Sequence, residues 1–190
     1  MKPANHGAGN EGHRRRKQGV TKATVNTEAA ADAARIEHEF LSGVQAKLED
    51  AKGRHLRGSS WRTTSADDED ALRAQMASRR MYDRELLKRL PRNRRVTLTG
   101  YDRHLLFWKK ATGAVTATVL TPTEALLDGG DPPPVGLNEL SEHLRRVAPD
   151  SRLRQVVGVC APTGFTAEAR NARLDQANLS VVLVEPDGQG

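Results

Sequence analysis

Aromatic side chains make up only 4% of this 190-residue chain, and Cys160 is its single cysteine. One thiol excludes an internal disulfide and any cysteine-based metal cluster. No apolar run approaches the ~18–20 residues that cross a bilayer, which excludes a membrane span. The N-terminus carries no apolar segment of the signal-peptide kind, so a cytoplasmic location is expected. The six histidines, at positions 6, 13, 38, 55, 104 and 143, include no pair spaced i, i+4. No local zinc motif follows, and no metal or other cofactor is expected. Hydrophobic residues reach only 37%, and the apolar runs lie mostly between Val96 and Val184. A core is therefore expected over part of the chain only.

Basic residues exceed acidic ones by 6, but the excess is local. Residues 1–26 carry Lys2, Arg14, Arg15, Arg16, Lys17 and Lys22 against Glu11, a net +5, so the rest of the chain is close to neutral. This segment, rich in Gly, Asn, Lys and Arg, is expected to be a disordered basic arm. His13-Arg-Arg-Arg-Lys17 reads either as a contact for phosphates or an acidic partner, or as a solvated arm.

From Thr27, a candidate cap, to about Leu56 the pattern is helical, with Ile36, Phe40, Val44 and Leu48 at i+4 spacing and Leu41 beside them. The stripe has to be covered, by a second helix of the chain or by a coiled-coil partner, so this 27–56 helix is also the place for a homo-oligomer or protein contact. Gly58-Ser-Ser60 breaks the pattern. Ser65-Ala-Asp-Asp-Glu-Asp70 is expected to open a second helix that runs to about Leu90 and stops at Pro91. Its acidic start and basic end suit the helix dipole. Yet Arg79, Arg80, Arg84, Lys88, Arg89, Arg92, Arg94 and Arg95 exceed what capping needs, and the region reads as a phosphate-facing surface or a solvated face. Leu72, Met76, Leu86, Leu87 and Leu90 form its apolar side, interrupted by Arg79 and Arg80.

Val96–Thr99, Leu105–Trp108 and Ala114–Leu120 read as strands of an antiparallel meander, with Gly100–Arg103 and Lys109–Gly113 as turns. Asp128–Pro134 is a rigid loop, and Leu137, Leu140, Leu144 and Val147 mark a short amphipathic helix ending near Pro149. Arg154–Cys160, a Pro162-Thr-Gly164 turn, a helix capped by Thr166 and Leu179–Val184 make a closing β-α-β unit. The fold expected is α+β, or α/β: two N-terminal helices, then a mixed sheet. The divisions are a basic arm over 1–26, a helical region over 27–92, an α/β core over 93–186 and a tail over 187–190.

Little in this pattern names a reaction. Cys160 ends a strand ahead of a helix but has no Arg six residues on, so it reads as a buried small hydrophobe. Thr163, Gly164 and Thr166 could hold an anion on backbone N–H groups, against the alternative of a simple N-cap. They lie outside any dinucleotide or phosphate-loop motif.

The segment Gly158-Val-Cys-Ala-Pro-Thr-Gly-Phe-Thr-Ala-Glu-Ala-Arg170, followed by Leu179–Glu185, resembles the closing β-α-β of Mrr-like restriction endonuclease domains over about residues 153–185. The resemblance implies a related fold and, upstream, an acid and a (Glu/Gln)-x-Lys strand that bind a divalent metal and activate water. Asp102 takes the place of the acid and Lys109 that of the lysine, with Phe107 where the family has Glu or Gln. Asp50-Ala-Lys52 has the right spelling within a predicted helix. These departures point to a related fold or a non-catalytic descendant. The function expected first is non-enzymatic association with DNA or RNA through phosphate, because the basic region lacks aromatic interleaving. An assembly module built on the 36–48 stripe and a divergent metal-dependent nuclease are the alternatives.

Overall fold

Asn26, rather than Thr27, starts the first helix, its Oδ1 accepting the Ala29 N–H at 3.1 Å and its carbonyl the Ala30 N–H. The computed structural model describes residues 25–55, 60–104, 108–150 and 152–186, with backbone alone at 52–55, 103–104 and 108–109. The basic arm, including Arg14, Arg15, Arg16 and Lys17, lies outside the described residues, as does the tail over 187–190. Helix α1 (Thr27–His55) is followed by β1 (Ser60–Ala66), α2 (Glu69–Ser78), α3 (Arg84–Arg89), β2 (Arg95–His104) and β3 (Trp108–Val119). Then come α4 (Thr123–Leu127), α5 (Leu137–Val147), β4 (Arg154–Cys160), α6 (Ala167–Asn171) and β5 (Leu179–Val184).

The strands form one open mixed sheet in the order β1-β2-β3-β4-β5. The first three are antiparallel; β3–β4 and β4–β5 are parallel, as the closing β-α-β unit requires. The α+β class holds, but the meander has different members. Gly100–Asp102 lies inside β2, and Lys109–Gly113 inside β3, so the two expected turns are strand. A register shift between Gly100 and Tyr101 absorbs the irregularity. Gly100 is needed there because Trp61 lies across it: a Cβ would meet the Trp61 ring at 2.8 Å. The Leu105–Phe107 run lies outside the described residues, and the meander's third strand is β1.

The expected 65–90 helix is therefore β1, α2 and α3. Ser60–Ala66 pairs with β2 from Ser60↔Tyr101 to Ala66↔Arg95, which draws part of the 27–92 helical region into the sheet. Arg79 and Arg80, where the apolar stripe fails, are the break: Arg80 takes a φ of 56°, and Asp83 caps α3 by accepting the Glu85 and Leu86 N–H groups. Helix α4 was unsignalled, and α6 stops at Asn171.

Side-chain alternation sorts the sheet into two faces. Val96, Ala117, Val119 and Cys160 pack under α1 with Leu41, flanked by Ile36, Phe40, Val44 and Leu48. The stripe thus lies against the chain's own sheet, where a second helix was expected. Val157 and Val159 pack on the opposite face with Leu140 and Leu144 of α5, Phe165 and Ala169. A third cluster joins Ala30, Leu72, Met76, Leu87, Leu90, Leu126 and Leu127, with Val25 and Met81 against it. No described helix is long and apolar enough to cross a membrane.

Two buried polar groups hold these layers. Glu37 on α1 is 3% exposed, and its Oε2 accepts the N–H groups of Arg92 at 3.1 Å and Arg94 at 3.4 Å. Its Oε1 lies 3.3 Å from Arg94 Nε, and burial pushes its carboxyl upward against these contacts. His143 on α5 is 1% exposed, with Nε2 at 2.9 Å from Thr118 Oγ1 on β3.

Replacing Glu37 by Gln removes the charge from bonds to two backbone donors, and about 1–3 kcal/mol of stability should be lost in urea unfolding. Burial, with Arg146 and Arg95 nearby, lowers the His143 pKa from 6.5 to about 4, so the folded protein holds a neutral ring. Its contribution is complete above 6.5 and lost as pH falls toward 4, because the unfolded chain takes the proton first. Wild-type stability should drop by about 2–3 kcal/mol more than that of His143→Gln between pH 7.5 and 4.5.

Candidate functional site

The basic residues of 79–95 divide into two groups when their acids are counted. Arg79 forks onto Asp128, with Nε to Oδ1 at 2.6 Å and Nη2 to Oδ2 at 3.0 Å. That bond holds the Asp128 carboxyl below its ordinary range. Arg92 reaches Glu69 at 2.6 Å, and Asp68 takes Arg146 at 3.2 Å and Arg95 at 3.7 Å. With Arg94 on Glu37, four of the eight expected phosphate contacts are committed to acids of the fold. The acidic Asp67–Glu69 segment, expected to serve a helix dipole, instead receives several of them. Lys88 pairs with Glu85 at 2.8 Å on the surface.

Arg80, Arg84 and Arg89 are different. All three are exposed, and no acidic partner binds them among the described residues. Arg80 lies on the knuckle between α2 and α3, and Arg84 and Arg89 are the first and last residues of α3; the backbone of the knuckle is fixed from below. The N–H groups of Arg79 and Met81 both bond the Met76 carbonyl, at 3.1 and 2.9 Å, and that of Arg80 bonds the Ala77 carbonyl at 2.9 Å. Met81 turns inward onto the cluster of Leu72, Met76 and Leu87, while Tyr82 turns out and is 78% exposed. The basic region therefore does contain an aromatic between its cations, which corrects the sequence reading. The signal was legible in Arg80-Met-Tyr-Asp-Arg84, but a continuous helix hid it.

The root of the basic arm is anchored on the same apolar cluster. Val25 packs against the cluster that holds Met81 and Leu86. Asn26 N–H bonds the Leu126 carbonyl at 3.0 Å, and its Nδ2 bonds Asp131 Oδ1 at 2.9 Å.

Thr163, Gly164 and Thr166 come together, but the chain fills the place itself. Glu185 Oε1 accepts the Phe165 N–H at 2.7 Å and pairs with Arg170 at 2.9 Å, and these bonds lower its pKa. Thr163 Oγ1 donates to the Pro133 carbonyl, and Thr166 accepts the Ala169 N–H as a cap. Gly164, with φ of 75°, supplies the left-handed turn that brings Phe165 to Glu185. Cys160 is 2% exposed, and burial pushes its thiol up to about 11, which leaves it a packing residue.

Asp102 and Lys109 stand on neighbouring strands at the hairpin end of the sheet. Asp102 is opposite Lys110, and Lys109 opposite Arg103. Among the described residues no group of three or more His, Cys, Asp or Glu is placed to hold a metal ion. A cleft of about 660 Å³ beyond the end of β3 lies between α2 and α5 and carries Arg92, Thr121, Glu124, Glu139 and Glu142. Thr121 Oγ1 and Arg92 Nε are buried there without hydrogen-bond partners among the described residues. Burial, with Glu124 and Glu142 adding repulsion, raises the Glu139 carboxyl.

In comparisons with known proteins, no family model matches this chain, and no curated protein or solved structure is detectably similar to it.

With Glu185 already on the Phe165 N–H, inorganic phosphate should leave the Gly164 and Phe165 amide resonances unmoved. Glu185→Ala should open that position to a phosphate-dependent shift.

Proposed function

We propose that the protein binds the phosphate backbone of nucleic acid without processing it, through the α2–α3 knuckle and the basic arm acting on one strand or duplex. The observation that carries this reading is the shared corner. Arg80, Arg84 and Arg89 have no acid to satisfy them among the described residues, and Val25, from which the arm departs, packs against the same cluster as Met81 and Leu86. The eight residues from Lys17 to Val25 span at most about 28 Å of extended chain, which bounds how far Lys17 can stand from that anchor. Clustered cations of this kind supply sequence-independent affinity by releasing counterions. Arg79, Arg92, Arg94 and Arg95 have structural duties and drop out of the contact set.

Fluorescence anisotropy on a short duplex and a single strand, across a salt series, tests the reading. Each of Arg80→Ala, Arg84→Ala and Arg89→Ala should weaken binding and lower the slope of log affinity against log salt by roughly 0.7–0.9. Arg173→Ala, an exposed position beyond β4, should leave both unchanged. Wild-type protein that binds neither nucleic acid at low salt would refute the proposal.

A further inference from the structure

Resting on the backbone-binding reading above, we infer that Tyr82 is a stacking platform for an unpaired base, which makes single-stranded nucleic acid the preferred ligand. Three observations meet at this residue. The ring is 78% exposed, the most open large hydrophobic side chain among the described residues, ahead of Val182 at 52% and Val156 at 42%. It stands between Arg80 and Arg84, both exposed and without an acidic partner among the described residues. Its pedestal is rigid and held at a conformational cost: Arg80 adopts the left-handed φ of 56°, a region that disfavours a side chain.

The neighbours explain what the strain achieves. Arg79 is locked onto Asp128, Met81 is turned into the core cluster, and Asp83 is occupied in capping α3. The left-handed turn at Arg80 lets the chain satisfy all three and still project Tyr82 outward. A pre-placed aromatic ring flanked by cations suits a base stacked on its face with phosphates on either side. A duplex keeps its bases paired and stacked, so it can use the arginines but not the ring.

The test uses the full-length chain with an unstructured oligothymidine and a duplex of equal length. Tyr82→Ala should weaken oligothymidine binding roughly ten-fold, leave duplex binding within two-fold and leave the salt slope unchanged, because no charge is removed. Tyr82→Phe and Tyr82→Trp should restore binding, since both keep a π-face. Unchanged thermal unfolding of Tyr82→Ala verifies that the exposed site has no structural duty. An equal loss on duplex and single strand, or no loss on either, overturns the inference while leaving the backbone reading intact. Self-association in the absence of nucleic acid that disappears with Tyr82→Ala would also overturn it, assigning the ring to a protein contact. Absence of wild-type binding to either nucleic acid would remove both readings together.

Discussion

The buried carboxylate of Glu37 is the constraint on which the rest of the arrangement depends. It projects from α1 into the bend at 92–94 and accepts two backbone N–H groups that no strand or helix would otherwise satisfy. The bend beside it is closed by Asn93, which takes a φ of 49° and bonds both the N–H and the carbonyl of Thr121. Helix, bend and the end of β3 are thereby held together at one point. Removing a carboxylate from water is unfavourable, and the donors around it are what make the burial tolerable. With that point fixed, β2 leaves the bend in the register that puts Val96 beneath α1.

The same local chemistry decides which cations are free. A run of basic residues in sequence resembles a single surface, but in the fold Arg79, Arg92, Arg94 and Arg95 each turn toward an acid from a distant segment. Those pairs join α2 to the Asp128 turn, the 92–95 segment to the start of α2, and α1 to β2. Arg80, Arg84 and Arg89 remain outside because Asp83 is occupied by the α3 cap and Glu85 by Lys88. A near-neutral body can thus present a small cationic corner.

The sheet that supports this corner also takes up several of the other candidate groups. Its parallel half buries Cys160 under α1, and the turn after β4 spends its open N–H group on Glu185. Thr97 and Thr116 pair their hydroxyls at 3.0 Å and Thr118 Oγ1 meets His143 Nε2, while His143 Nδ1 is buried without a partner among the described residues. In the cleft beyond β3, Thr121 Oγ1 and Arg92 Nε are likewise without partners among the described residues.

Much of the fold was legible in the order of residues. The β-α-β unit, the Thr166 cap, the Leu140–Leu144 face of α5 and the extent of α1 follow from local periodicity and capping chemistry, which act over a few residues. Strand β1 was not legible, because Ser60–Ala66 is mostly polar and becomes a strand by pairing with β2 at the sheet edge. The Gly100 and Gly113 segments read as turns, since nothing in their own residues reveals that Trp61 covers Gly100 and that the two glycines face each other across the ladder. The candidate site divides along the same line. The sequence by itself determined how many cations lie between 79 and 95 and that a tyrosine stands among them. Only the tertiary structure decided which of those cations are neutralised, because their acids are distant in the chain and electrostatic pairing depends on distance in space.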